Sequence, residues 1–328
     1  MALSLDPANA IANGNGQAME TVSRESRYRG CLLGLATGDA LGASVEFMRP
    51  GTFTPLTDLR GGGPFELKPG EWTDDTSMAL CLAESLIACK GINPTDQMER
   101  YLRWFREGYL SVKDHCFDIG NATRAALTLF EKTKDPFAGS TDPHSAGNGS
   151  LMRLAPVPMF YANSPKEGIE QCAASSRVTH GAVTAVDACR YYGALIIAAL
   201  NGETKDVLLS EEFARSLDFG DTPLCSEIRE VASGTFLKRN PPQIIGSGFV
   251  VRSLEAALWA FAHTQIFAEG CLKAANLGDD SDTTAAIYGQ LAGAYYGLDA
   301  IPLHWREQIA MRDLIEDNAL KLLLLSQK

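Results

Sequence analysis

The chain has 328 residues, of which 45 % are hydrophobic and 21 % charged, and its net charge is −11. This composition is that of a globular chain and excludes a disordered polymer, a collagen and a small disulfide scaffold. The acidity argues against nucleic acid as a partner, because a nucleic-acid binder needs a basic footprint. Residues 1–23 begin MALSLDPANAIANGNGQAME, without a basic region or a long apolar run. They read as a flexible tail rather than a secretory signal. From residue 24 to 328 helical periodicity dominates. Residues 28–37 form an expected helix with Gly30, Gly34 and Gly38 on one stripe. Glycine costs helix stability, so the stripe predicts close approach of another helix. Further helices are expected over 76–90, 95–107, 121–132, 165–180, 182–200, 249–264, 265–275 and 282–296. Residues 152–161 are apolar and interrupted by Pro156 and Pro158, and 203–245 are polar, with helical pieces at 210–216 and 224–232. Strand alternation, repeats and linkers are missing, which predicts an all-α fold in a single compact multi-helix domain over 24–328. No stretch approaches the roughly 20 apolar residues of a membrane span. The eight cysteines form no C-x-x-C pair and read as small buried hydrophobes in a reducing, cytoplasmic setting.

Two short motifs crowd acids and hydroxyls at helix starts: Trp72-Thr73-Asp74-Asp75-Thr76 and Gly278-Asp279-Asp280-Ser281-Asp282-Thr283-Thr284. Capping explains one acid at each start. Repeated clusters repel themselves unless a cation sits between them, and hard divalent ions take such oxygen ligands. Both readings, cation site and elaborate cap, stand on the pattern alone. Gly38-Asp39-Ala40-Leu41-Gly42, followed at a short distance by Glu46, reads by itself as a weak turn signal. Gly147-Asn148-Gly149-Ser150 is either a plain Asn-Gly turn or a set of small residues exposing amides to an anion. It is neither a Walker loop nor a dinucleotide fingerprint.

Taken in order, RGCLLGLATGDALGASVEF (29–47), WTDDTSMAL (72–80), FDIGNATRAAL (117–127), GNGSLMRLAPV (147–157), THG (179–181), GFVVRSLEAALWAF (248–261) and LGDDSDTTAAIYGQLAGAYYG (277–297) resemble the ADP-ribosyl-glycohydrolase family. That family includes dinitrogenase-reductase-activating glycohydrolases and ADP-ribosylarginine hydrolases. The resemblance implies a binuclear metal site in a cleft, holding two Mg²⁺ ions with Mn²⁺ as an alternative. By the same resemblance, Thr73, Asp74 and Asp75 would ligate from the first acidic start, and Asp280, Asp282 and Thr283 from the second. Glu46, Asp75 and Asp118 would serve the chemistry, without one of them being singled out as general base. Asp118, Gly120, Ser145, Gly147, Asn148, Gly149, Ser150, Met152 and His180 would line the ADP-ribose cleft.

The implied reaction is hydrolytic release of ADP-ribose from a modified protein. Arginine is the preferred linkage, since a carboxylate such as Asp118 pairs with a guanidinium and a serine offers no cation. A cap on the helix from Gly120 is the bland alternative for Asp118. Serine, polymer or small-molecule linkages, or a non-catalytic structural relative, are the alternatives for the whole chain. One departure stands out: where some relatives place an adenine-holding aromatic before the GNG glycine, this chain has Ala146. Phe249 is a candidate replacement, although its place on the expected amphipathic helix 249–264 favours a core role. His180 has C-cap packing beside Gly181 as its alternative.

Overall fold

Glycine spacing sets the centre of the molecule. In the computed structural model, which describes residues 22–327, α1 (Arg24–Gly42) lies antiparallel to a helix near the end of the chain, α13 (Ser281–Tyr296). A Cβ on Gly30 would stand 2.5 Å from the Gly293 carbonyl oxygen, one on Gly34 2.4 Å from that of Gly289, and one on Gly42 2.4 Å from that of Ser281. Such distances are closed to any side chain, so the backbones touch directly. The close packing offsets the helix cost of the glycines. It also carries α1 five residues beyond the expected 28–37, so that Asp39 belongs to its last turns rather than to a turn motif. Because the pair is antiparallel, the C-terminal end of α1 and the start of α13 lie side by side.

Between them in the chain run α2 (Asp74–Cys89), α3 (Pro94–Glu107), α4 (Asn121–Thr133), α5 (Pro156–Phe160), α6 (Pro165–Arg177), α7 (Val183–Leu200), α8 (Lys205–Leu208), α9 (Glu211–Ser216), α10 (Ser226–Ala232), α11 (Val250–Ala262) and α12 (Phe267–Ala275). These match the expected helices to within two or three residues at most ends. The described residues contain no strand, only isolated bridges such as Gly147 with Phe249. One hydrophobic core joins the helices, with Trp72, Trp104, Tyr192 and Phe267 fully buried in it. Of the cysteines, Cys31, Cys81, Cys172, Cys189 and Cys271 are buried, whereas Cys89 is exposed. α7 is long and apolar enough to cross a bilayer by length and composition, but 89 % of it is packed inside the fold.

Helix α8 and the two helices that follow α13 were not expected. The chain continues through α14 (Leu303–Arg306) into α15 (Arg312–Ser326), which packs on α1, α2 and α5. Its leucine run 322–325 hides the helical period, although Ile315, Ala319, Leu322 and Leu323 form its buried face. Arg29 of α1 ties it down, with Nε donating to Glu316 Oε2 at 2.9 Å. The tail expected over 1–23 falls almost wholly outside the described residues. Ser23 is the N-cap of α1, its hydroxyl accepting from the Ser26 amide at 3.1 Å.

Candidate active site

The acidic start of α2 is capped from another helix. Asp39 is fully buried and accepts from the Thr73 and Thr76 amides at 2.9 and 3.0 Å and from their hydroxyls at 2.9 and 2.6 Å. Thr73, at the N-cap position, makes no side-chain cap. With the Thr73 and Thr76 amides held by Asp39, Asp74 and Asp75 are not needed to cap them. At α13 the N-cap position is Asp280, and it too makes no side-chain cap. Its Oδ2 instead accepts from Asn148 Nδ2 at 2.6 Å. Of the two readings of the acidic motifs, capping by their own acids is therefore not what the fold uses.

The freed acids converge. Glu46, Asp118 and Asp282 place one carboxylate oxygen each within 4.8 Å of one another. Thr73 Oγ1 lies 3.2 Å from Asp282 Oδ2 and 3.4 Å from Asp75 Oδ2, and Thr283 Oγ1 lies 3.4 Å from the same Asp75 oxygen. Glu46 Oε2, Asp75 Oδ1 and Asp282 Oδ1 are buried without a hydrogen-bond partner. The charges acting on these groups are chiefly other carboxylates. Burial and mutual repulsion raise Asp74, Asp75 and Asp282 well above the carboxylate range, Asp118 to about 8 and Glu46 to about 10. Asp39 is raised only to about 6, because burial is opposed by its four hydrogen bonds. Unpartnered oxygens on a self-repelling set are what a hard divalent cation satisfies. The donor set therefore fits the metal expectation, with Glu46 added to the acids of the two helix starts and Asp118 standing beside them.

Glu46, Asp74, Asp118, Asp280 and Asp282 form the floor of a cavity of about 540 Å³, walled by Gly120, Gly147, Asn148, Gly149, Met152 and His180 and by Phe47, Asp279 and Thr283, whereas Thr73 and Asp75 are fully buried and do not line it. Asp118 is half-buried, in the left-handed region at φ 58°, and the cap position of α4 belongs to Gly120. The cap alternative for Asp118 is thereby removed. The GNGS segment is a turn pinned to the strand-like stretch before α11: the Asn148 amide donates to Gly248 O at 3.1 Å and the Val250 amide to Ala146 O at 3.1 Å. The Gly149 and Ser150 amides make no hydrogen bond among the described residues. Gly149 must be glycine, since a Cβ would stand 2.7 Å from the His180 ring.

Beneath this turn lies a residue the sequence reading passed over. Arg153 is wholly buried, donating to Gly149 O at 2.8 Å and to Thr179 Oγ1 at 2.6 Å, with its guanidinium 4.6 Å from the Tyr101 ring centre. Thr179 Oγ1 in turn meets His180 Nδ1 at 2.8 Å. Burial and the Arg153 charge lower His180 to about 3, so its ring is neutral. The signal was present as the arginine of GNGSLMR, but nothing in the sequence says it points inward.

Two expected cleft residues turn elsewhere. The Ser150 side chain is buried against Ser176 Oγ at 2.8 Å, and Ser145 Oγ closes its own loop on Asp142 O at 2.7 Å. Ser145 lines a second hollow of about 700 Å³, which shares Asn121, Ala122, Gly147 and Gly248 with the first. Phe249 stands there too, 42 % exposed and one residue ahead of α11 rather than in the core.

The family description ADP-ribosylglycohydrolase matches residues 20–328. An ADP-ribosylarginine hydrolase of Pseudomonas putida is 42 % identical over 296 residues, covering 90 % of this chain and 77 % of its own length. One of Serratia proteamaculans is 39 % identical over 293 residues, covering 89 % and 78 %. The ADP-ribosyl-[dinitrogen reductase] glycohydrolase of Rhodospirillum rubrum is 30 % identical over 302 residues, covering 88 % and 92 %. A solved structure described as an ADP-ribosylglycohydrolase-related protein complex superposes with a TM-score of 0.82 at 46 % identity, covering 92 % of this chain and 99 % of that one.

Proposed function

The chain belongs to the ADP-ribosylglycohydrolase family, an enzyme family, and from that premise we propose that it is a divalent-cation-dependent hydrolase releasing ADP-ribose from modified arginine side chains of proteins. The observation that carries this reading is the convergence of Glu46, Asp118 and Asp282 on the floor of a cavity, with Asp75 joined to Asp282 through the Thr73 hydroxyl and three buried oxygens of the set unpartnered. Relatives at about 40 % identity that are named ADP-ribosylarginine hydrolases support the linkage.

Thr73, Asp74, Asp75, Asp280, Asp282 and Thr283, joined by Glu46, are the donors we assign to the cation site. Two Mg²⁺ ions, with Mn²⁺ as the alternative, would supply Lewis-acid polarisation and a more acidic water. The chain's own groups do the rest. Asn148, the Gly149 amide and the neutral His180 above Arg153 form the wall that takes the diphosphate. The Phe249 ring offers a stacking face for adenine where Ala146 offers none. Asp118 faces the guanidinium, whose positive charge favours its ionised form. Cleavage breaks the bond between the anomeric carbon and the guanidine nitrogen and forms one from that carbon to a water oxygen. We assign the water's proton to Glu46 or Asp75, and a protonated carboxyl of the same set returns one to the leaving guanidine. We place the reaction in the cytoplasm, with ADP-ribosylated protein as partner and free ADP-ribose as product.

The test is release of ADP-ribose from arginine-linked and serine-linked conjugates side by side, with Mg²⁺ and with EDTA. Release confined to the arginine conjugate and abolished by EDTA is expected. Equal turnover in EDTA overturns the cation, and preference for serine overturns the linkage.

A further inference from the structure

A strained and exposed aromatic stands at the mouth of the acidic cavity. Phe47 follows Glu46 directly, is 64 % exposed, and lines the same cavity as Glu46, Asp74 and Asp118. Its φ of 62° is a conformation that bulky residues rarely adopt. Two main-chain bonds hold it there: the Phe47 amide donates to Asp279 O at 2.7 Å, and the Asp279 amide to Met48 O at 2.7 Å. Asp279 is itself left-handed at φ 58°, and the neighbouring Gly278 admits this clasp, since a Cβ there would stand 2.6 Å from Met48 O. A glycine at position 47 would relieve the strain, and a polar residue would suit the exposure. The fold holds a phenyl ring there in spite of both. Strain retained at a cavity mouth points from the outlier to a function.

The ring opens a short aromatic row. Phe47 meets Phe65 edge-on at 6.5 Å between centres, and Phe65 meets Phe117 at 5.2 Å. Phe117 adjoins Asp118, so the row runs from one cavity acid to another along the rim. Its outer end is already taken, because Lys113 Nζ sits 5.8 Å from the Phe117 ring centre and also donates to Phe65 O. Phe47 is the exposed face, flanked by carboxylates. A delocalised, weakly hydrated cation on an aliphatic arm is the ligand that such a face and such a charge recognise together.

We propose that Phe47 is a specificity-determining residue that receives the guanidinium and side-chain methylenes of the modified arginine as they leave the cavity toward the target polypeptide. This rests on the reading of the cavity as an ADP-ribosylarginine site.

The test compares wild type, Phe47→Gly and Phe47→Trp. Phe47→Gly removes the ring while suiting the positive φ, so its melting temperature should be unchanged or raised. Binding of three probes is measured in EDTA, where turnover is suppressed: an ADP-ribosylated arginine peptide, ADP-ribosylated agmatine and free ADP-ribose. Wild type should bind both conjugates more tightly than free ADP-ribose. Phe47→Gly should weaken both conjugates by about two- to thirtyfold, the range of a cation–π contact, and free ADP-ribose by less than about twofold on that same basis, as it carries no cation. Phe47→Trp should restore conjugate binding. Equal weakening of all three probes, no weakening, or a wild type without preference for the conjugates overturns the proposal. A wild type that keeps the binding preference but releases no ADP-ribose from either conjugate in Mg²⁺ overturns the hydrolase reading instead.

Discussion

At the start of α2 the Thr73 and Thr76 amides are taken by Asp39 of α1, whereas at the start of α13 the acid in the cap position, Asp280, accepts from Asn148 instead. In the sequence the two starts look alike, each a run of acids and hydroxyls. In the fold one is anchored from below by a neighbouring helix and the other is held from the cleft side by the GNGS turn. Asp39, with four hydrogen bonds, is only mildly raised by burial, while Asp75 and Asp282 are pushed far up by burial and by the carboxylates they face. Hydrogen bonds are thus concentrated at Asp39 and unpartnered oxygens at Glu46, Asp75 and Asp282, although all sit within one buried cluster.

The largest effect expected from separating these roles is on turnover. Asp282→Ala removes an unpartnered buried oxygen from the cation site. It should abolish divalent binding by calorimetry and cut ADP-ribose release by more than about a hundredfold, above the range for residues that merely orient ligands, with circular dichroism unchanged. Full activity with bound metal would show that the acids of α13 are not donors. Asp39→Asn tests the opposite side. It should lower stability by about 1–3 kcal/mol, the range for hydrogen bonds to a charged group, read as a lower urea midpoint even in EDTA. Asp280→Asn, by contrast, should leave the midpoint nearly unchanged. Equal losses of stability in the two variants would erase the distinction between the starts.

A smaller and more selective effect is expected at Asp118. Asparagine tolerates its left-handed backbone, and Asp118 caps nothing. Asp118→Asn should therefore keep its melting temperature. It should lower kcat/KM on an arginine conjugate about ten- to a hundredfold and change free ADP-ribose binding far less. Equal losses for substrate and product would move Asp118 from the guanidinium to the ribose.

The mildest prediction concerns pH. Asp118 titrates at about 8 in the fold, against the ordinary carboxylate range when unfolded. A raised pKa means that the folded state keeps a proton the unfolded state has lost. Its stability contribution is full below the unfolded value and declines as pH rises toward 8. In EDTA the melting temperature should fall between about pH 5 and 8, in line with that linkage. Saturating Mg²⁺ competes with those protons, so the gap between loaded and stripped protein should widen over the same window. A gap that is flat across it would detach the cation from the acid cluster.

Much of this molecule is legible in its residues one after another. Helical period, proline and glycine punctuation and the four-residue glycine stripe are local signals, and they predicted the helices and the close approach that α1 makes with α13. The acid and hydroxyl runs were equally visible, since crowding of like charges can be counted without knowing a fold. Other features depend on which distant residues meet. Asp39 read as part of a turn because its partners, Thr73 and Thr76, lie more than thirty residues away. Arg153 gave no sign of pointing inward until Thr179 and Gly149 closed around it. The choice between cap and cation site was open in sequence because a carboxylate at a helix start serves either purpose. Only the packing of α1 on α13, backbone against backbone, brought an acid of α1 beneath α2, held the Thr73 and Thr76 amides from outside, and left the remaining carboxylates facing one another.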